Sequence, residues 1–205
     1  MIYVSTGGFS KENPFKIIKK LNKNKIFNIE LSSGLYSRNL NTKISKLKKK
    51  NNFLIHNYFP VPKNPFVLNL ASLNKSINKK SFNHVKKAII LSSNLKSKYY
   101  SFHAGFYLDP KIQSLGKKFD RAKLYNKKIS QKIFFQNLKK LAKFAKEKKV
   151  RLLIENNVIT KSNIKKYKTN PLMMCDVNEI KKFKARLKNS VGILLDTGHL
   201  KVSCN

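Results

Sequence analysis

Cysteine is nearly absent from this sequence. Cys175 and Cys204 are the only two in 205 residues, and neither has a partner at metal-binding spacing. That excludes a disulfide-stapled scaffold and a cysteine-type zinc module. A reducing, cytoplasmic setting is the simplest reading. No apolar run approaches the ~20 residues that a membrane helix needs, so no membrane association is expected. The opening residues, MIYVSTGGF, carry neither a basic region nor a long apolar stretch, and do not read as a secretory signal. Gly7-Gly8 reads as a turn, with no dinucleotide-binding fingerprint around it.

Acidic residues are scarce too. Nine Asp and Glu stand against 45 Lys and Arg, for a formal charge of +36. A charge of that size resembles a nucleic-acid signal, but the residue types weaken it. Arginine occurs only at positions 38, 121, 151 and 186, and a surface selected to grip phosphates favours bidentate arginine. The abundance of Lys, Asn and Ile is what A/T-rich codons produce. What remains is a positive field that draws anionic ligands in general.

What the chain does have is apolar patterning. Hydrophobic residues make up 41% of it, enough for a globular domain, and a single domain over 1–205 is the expectation. Short apolar runs at Ile2–Thr6, Ile26–Leu31, Phe53–Ile55, Tyr99–Phe102, Val150–Ile154 and Val191–Leu195 read as strands. Helical spacing lies between them. Asn13-Pro14 marks one helix start. A long helix is expected over about Leu73–Lys96, with Phe82, Val85 and Ile89 on one face. The clearest helix is Ser130–Lys149, where Phe134, Leu138, Leu141 and Ala145 step by four, three and four. Asp176 and Glu179 have capping-box spacing before a helix lined by Ile180, Phe183 and Leu187. Alternation of strand and helix predicts an α/β protein with a parallel sheet. Val191–Leu195, uncharged throughout, reads as a strand buried on both faces.

The rare titratable residues fall at the strand ends. Of four histidines, His56, His103 and His199 lie at or just past the end of a strand, and His84 alone sits in a helix as a solvated or partly packed side chain. Glu30, Glu155 and Asp196 also close strands. On a parallel barrel the C-terminal strand ends converge on one cavity. Three imidazoles and two or three carboxylates there make a divalent-metal site of the zinc or manganese kind.

The segments HNYFP, VLNLAS, FHAGF, LLIENN and LLDTGH resemble the xylose isomerase-like TIM-barrel superfamily, which includes sugar isomerases and epimerases and the endonuclease IV type of DNA repair enzyme. The resemblance implies a (β/α) barrel. It also implies metal ligation by His56, His103, Glu155, Asp196 and His199, and catalytic roles for Glu155 as acid/base and His199 as a substrate contact. Glu30 and Asn69 are the further substrate contacts expected. About six of eight β/α units are present, and the family's ligands after strands seven and eight have no counterpart here. The expectation is a fragment, a truncated gene product, or a protomer completed by another chain.

Two functions follow from that resemblance. One is a metal-dependent sugar or sugar-phosphate isomerase or epimerase, which moves a proton next to a carbonyl polarised by the ion. The other is a zinc-dependent apurinic/apyrimidinic endonuclease, whose ions brace an in-line attack on phosphate. Bulky residues after two of the strands, Tyr58-Phe59-Pro60 and Phe106-Tyr107, are expected to wall a small-molecule pocket and so favour the first.

Overall fold

A computed structural model describes residues 1–9, 11–117, 119 and 123–204. Six strands form one sheet: β1 (Val4–Ser5), β2 (Asn28–Leu31), β3 (Asn52–His56), β4 (Tyr99–His103), β5 (Arg151–Glu155) and β6 (Val191–Leu194). Every neighbouring pair is parallel, and the spatial order is the chain order. An order that never reverses is the progression of a barrel wall; a doubly wound sheet changes direction partway. β1 and β6 are the sheet's two edges.

The helices connect the strands on one side: α1 (Pro14–Lys23), α2 (Leu40–Ser45), α3 (Lys75–Asn94), α4 (Lys127–Glu147), α5 (Lys161–Tyr167), α6 (Val177–Leu187) and α7 (Thr197–Cys204). Asparagine is the N-cap of four of them, α1 to α4, and in three its side chain makes the capping bond. Asn13 accepts the Phe15 N–H, Asn74 those of Ser76 and Ile77, and Asn126 that of Ile129, each satisfying an amide the helix cannot. Asp176 caps α6 by accepting the Glu179 N–H. The return bond expected of a capping box goes elsewhere: Glu179 Oε2 accepts the N–H groups of Met174 and Cys175. All four residues expected to form the buried stripe of α4, Phe134, Leu138, Leu141 and Ala145, are buried.

Strand alternation divides the sheet. Ile29, Leu31, Ile55, Tyr100, Phe102, Leu152 and Ile154 face the helices and are essentially inaccessible. The intervening residues face the concave side; Glu30, Leu54, His56, His103 and Leu153 are half-buried there, and Ser101 and Glu155 are buried. The apolar core therefore lies between sheet and helices, and the titratable groups lie on the opposite face.

Three expectations need correction. β6 is an edge strand, so only Val191 on it is buried and Leu195 beyond it is 58% exposed; an uncharged run did not mean burial on both faces. His84, expected as a solvated or partly packed side chain, is buried outright, its ring packed against Phe66 at 5.5 Å between centroids. Asn69, expected to touch substrate, is completely buried. Its Nδ2 donates to the carbonyls of Phe106 and Leu108 and to Asp109 Oδ1, and its Oδ1 accepts the N–H groups of Ala71 and Phe106. With its polar atoms saturated by two loops, Asn69 is a clamp that holds the β4–α4 connection to the segment before α3. Asn69→Ala should leave several buried backbone groups unpaired and lower stability by about 2–4 kcal/mol. Urea denaturation checks this, and an unchanged midpoint would contradict the clamp.

Candidate metal centre

The site begins with the register. His103 on β4 pairs with Glu155 on β5, and His56 on β3 pairs with Ser101, two residues below His103. Strand periodicity therefore turns His56, His103 and Glu155 to the same concave face. Asp196 follows β6, and its Oδ1 accepts the His199 N–H at 2.8 Å. Asp196 thus caps α7, and His199 occupies the first turn of a helix rather than a loop.

The five side chains meet around Glu155. His56 Nε2 lies 3.3 Å and His103 Nδ1 3.7 Å from Glu155 Oε2. His199 Nδ1 lies 3.4 Å from Glu155 Oε1 and 3.9 Å from Asp196 Oδ2. Two trios share the glutamate: His56, His103 and Glu155, and Glu155, Asp196 and His199. In each, the potential ligand atoms lie within 4.8 Å of one another. Glu30 joins neither trio, although its charge acts on both His56 and Glu155.

Neighbouring asparagines and a serine orient these groups. His199 Nδ1 donates to the Asn156 carbonyl at 2.6 Å, leaving the lone pair on Nε2. Asn156 Oδ1 accepts the Asp196 N–H at 2.7 Å. His56 Nδ1 lies 2.9 Å from Ser101 Oγ, and the Asn57 amide donates to His56 Nε2 at 2.7 Å. Ser101, Asn57 and Asn156 did not stand out in the sequence. Each adjoins a ligand or faces one in register, but in an asparagine-rich chain that position carries no signal by itself.

Glu155 is only 2% exposed, and among the described residues no Lys or Arg pairs with it. A buried carboxylate without a cation is costly. Burial, followed by the Asp196 and Glu30 carboxylates, pushes the Glu155 carboxyl up to about 8. Burial and the other two imidazoles hold His103 down to about 3. Burial also lowers His56. Asp196 is held below the usual carboxylate range: partial burial opposes ionisation, but the His199 N–H and the adjacent Glu155 outweigh it. His103 Nδ1 and Glu155 Oε2 are buried with no hydrogen-bond partner. Neutral imidazoles, carboxylate oxygens and two orphaned acceptors are a donor set that fits a divalent cation.

A cavity of about 390 Å³ adjoins this cluster, with His103, His199 and Asn57 in its wall. Tyr58 and Phe106 line it as expected. Phe59 and Tyr107 do not. Phe59 is fully buried in the core, and the buried Tyr107 donates its hydroxyl to Glu179 Oε1.

Glu155 and His103 act on stability in opposite directions. Glu155 holds its proton more tightly folded (about 8) than at its ordinary value of 4.5. Its contribution is complete below pH 4.5 and lost as the pH rises through 8. His103 stays neutral in the fold, so its contribution is complete above pH 6.5 and lost as the pH falls towards 3. In chelator-treated protein, Glu155→Gln should therefore gain stability over the native chain at pH 9 relative to pH 5, by an amount on the order of a few kcal/mol. Denaturant titrations at the two pH values check this. An equal difference at both would show that Glu155 ionises normally.

A family model described as the xylose isomerase-like TIM barrel matches residues 22–203. A search of curated proteins finds no match. Among solved structures, a D-tagatose 3-epimerase-like protein is 16% identical with a TM-score of 0.64, over 89% of this chain and 61% of that one. An L-ribulose 3-epimerase is 15% identical with a TM-score of 0.67, over 98% and 62%. Endonuclease IV from Thermus thermophilus is 13% identical with a TM-score of 0.56, over 97% and 62%. At these identities the likeness is one of fold, and the chain spans about three fifths of the length of these three structures. Six parallel strands in barrel order and a match across most of the sequence place this chain in the xylose isomerase-like TIM-barrel family.

Proposed function

We propose that this chain carries the metal centre of a divalent-metal-dependent sugar or sugar-phosphate isomerase or epimerase. The observation that carries the reading is the convergence of His56, His103, Glu155, Asp196 and His199 at the mouth of the sheet, with two buried ligand atoms left unpartnered. A zinc or manganese ion held by these residues would supply a Lewis acid for a carbonyl and its neighbouring hydroxyl.

The chain's own residues supply the rest. Glu155 is the acid/base: one of its carboxylate oxygens would hold the ion and the other would take or return the proton. A carboxyl raised towards neutrality by burial is suited to both directions of transfer. His199, fixed by the Asn156 carbonyl, orients an oxygen of the substrate. Glu30, on the same face at β2, is a further substrate contact. The adjoining cavity of about 390 Å³ suits a small molecule better than a duplex. Lys117 in its wall, with the overall positive charge, suits a substrate that bears phosphate. The fold's remaining strands, from a further segment or a second copy, would complete the pocket.

One test is exchange of carbon-bound hydrogen. Incubated with Mn²⁺ and a panel of ketopentoses, ketohexoses and their phosphates in D₂O, the protein should place deuterium beside the carbonyl of one of them. Glu155→Gln should slow that exchange by ~10²–10⁴-fold. Exchange that survives the substitution would remove the role assigned to Glu155.

The ligand set itself favours a second reading. Three imidazoles in one cluster make a nitrogen-rich site of the sort zinc prefers, and an apurinic/apyrimidinic endonuclease would use it to activate water against phosphate. Nicking of a duplex with one abasic site, lost in His103→Ala, would support that function over sugar chemistry.

A further inference from the structure

Lys132, Phe135, Lys139, Lys143 and Lys146 recur at helical spacing along α4, beside its buried stripe. They border two clefts that meet at Lys139. The larger has a volume of about 970 Å³ and opens at the N-terminal ends of β4 and β5. His103 and Glu155 close those same strands, so the cleft lies at the end opposite the metal centre. α4 contributes Lys139, Lys143 and Lys146 to it, and the starts of β4 and β5 contribute Lys98, Lys149 and Arg151. From Lys132 to Lys146 the groove follows the helix for about 21 Å at ~1.5 Å per residue.

Lysine covers much of this surface, so its number alone means little. The cations here differ in sharing one concave space. None of them has a carboxylate partner among the described residues. Two of the chain's four arginines are present, Arg151 in the larger cleft and Arg186 in the smaller. The flanking helices α4 and α6 hold one acid each. Glu147 lines neither cleft, and Glu179 is engaged by the Tyr107 hydroxyl and the Met174 and Cys175 amides. Lysines three and four apart on a helix repel one another, and the walls of a cleft focus their combined field. An anion that spans several of them relieves that repulsion.

Aromatic rings stand among the charges. Tyr99, the first residue of β4, lines the larger cleft and is 41% exposed. In the smaller, the Arg186 guanidinium lies over the Phe135 ring at 4.8 Å. We infer that this groove binds single-stranded nucleic acid. The lysines follow the phosphates, and Tyr99 and the Arg186–Phe135 stack offer flat faces to unpaired bases. A duplex keeps its bases stacked inside, where neither ring reaches them. The inference does not rest on the metal-binding reading and stands or falls separately from it.

Anisotropy titration of a fluorescein-labelled oligo(dT) of about 12 nucleotides, a site size within the usual range, tests this with chelator present. The strand should bind more tightly than a duplex of equal length. Its log K should fall with log [salt] at a slope of about −3 to −4, as expected for roughly four to six phosphate contacts. Replacing Lys139, Lys143 and Lys146 together by Glu should lower affinity ~100-fold or more, and the same replacement of the exposed Lys16, Lys19 and Lys23 on α1 less than ~5-fold. Tyr99→Ala should cost roughly 5–100-fold and Tyr99→Phe little. Acetylation footprinting of the native chain needs no variant: bound strand should protect Lys139, Lys143 and Lys146 and leave Lys16 and Lys19 reactive. Equal losses in the two triple variants, or protection spread equally over α1, would show diffuse attraction by net charge and overturn the inference. So would a duplex that binds as tightly as the strand, or capture by phosphatidylserine vesicles without binding of the oligonucleotide.

Discussion

Glu155 is a carboxylate buried, among the described residues, without a lysine or arginine partner, in a chain that has 45 of them. Its neighbours are three imidazoles and a second carboxylate. Burial keeps two of those imidazoles neutral, so they contribute lone pairs and little positive charge. Such a cluster is unfavourable as a set of polar groups withdrawn from water. It would become favourable if a cation joined it, because the same burial that raises Glu155 and lowers His103 would strengthen their hold on the ion. Burial and chemistry are therefore the same feature here: moving Glu155 into water would relieve the cost and abolish the site.

The sheet makes this arrangement possible by simple geometry. Parallel strands in register bring His103 level with Glu155, and alternation separates the polar face from the apolar one. Phe102 and Ile154, each one residue before a ligand, point into the core between sheet and helices. Each ligand is thus anchored by its immediate neighbour. Beyond the strands, asparagines take over: Asn57 for His56 and His103, Asn156 for Asp196 and His199, and Asn69 for the loop beside the cavity. An amide both donates and accepts without carrying charge, which suits a site that already has two carboxylates.

Much of this was legible in the sequence, for identifiable reasons. Phe134, Leu138, Leu141 and Ala145 declare α4 because packing against a sheet imposes helical spacing on apolar residues. The cluster of His56, His103, Glu155, Asp196 and His199 was legible because histidine and acid are so rare here that their recurrence at strand ends is itself a pattern. Other features left no such mark. α7 shows little because it is short and half-exposed, with Leu200 and Val202 on its surface, and α5 buries only Asn163. Asn57 is hidden by the chain's general excess of asparagine. Asn69 stood in a motif that resembles the family's, but only its saturated bonds show that it fastens loops. The uncharged run before Asp196 pointed to a central strand, and the topology makes it an edge.

The most direct test of the central claim is zinc K-edge X-ray absorption on protein loaded with one equivalent of Zn²⁺. A mixed shell of nitrogen and oxygen is expected, with the outer-shell scattering of at least two histidine rings and no sulfur, and it should lose imidazole scattering in His103→Ala. An all-oxygen shell, or one containing sulfur from Cys175 or Cys204, would show that the cluster around Glu155 is not where the ion binds.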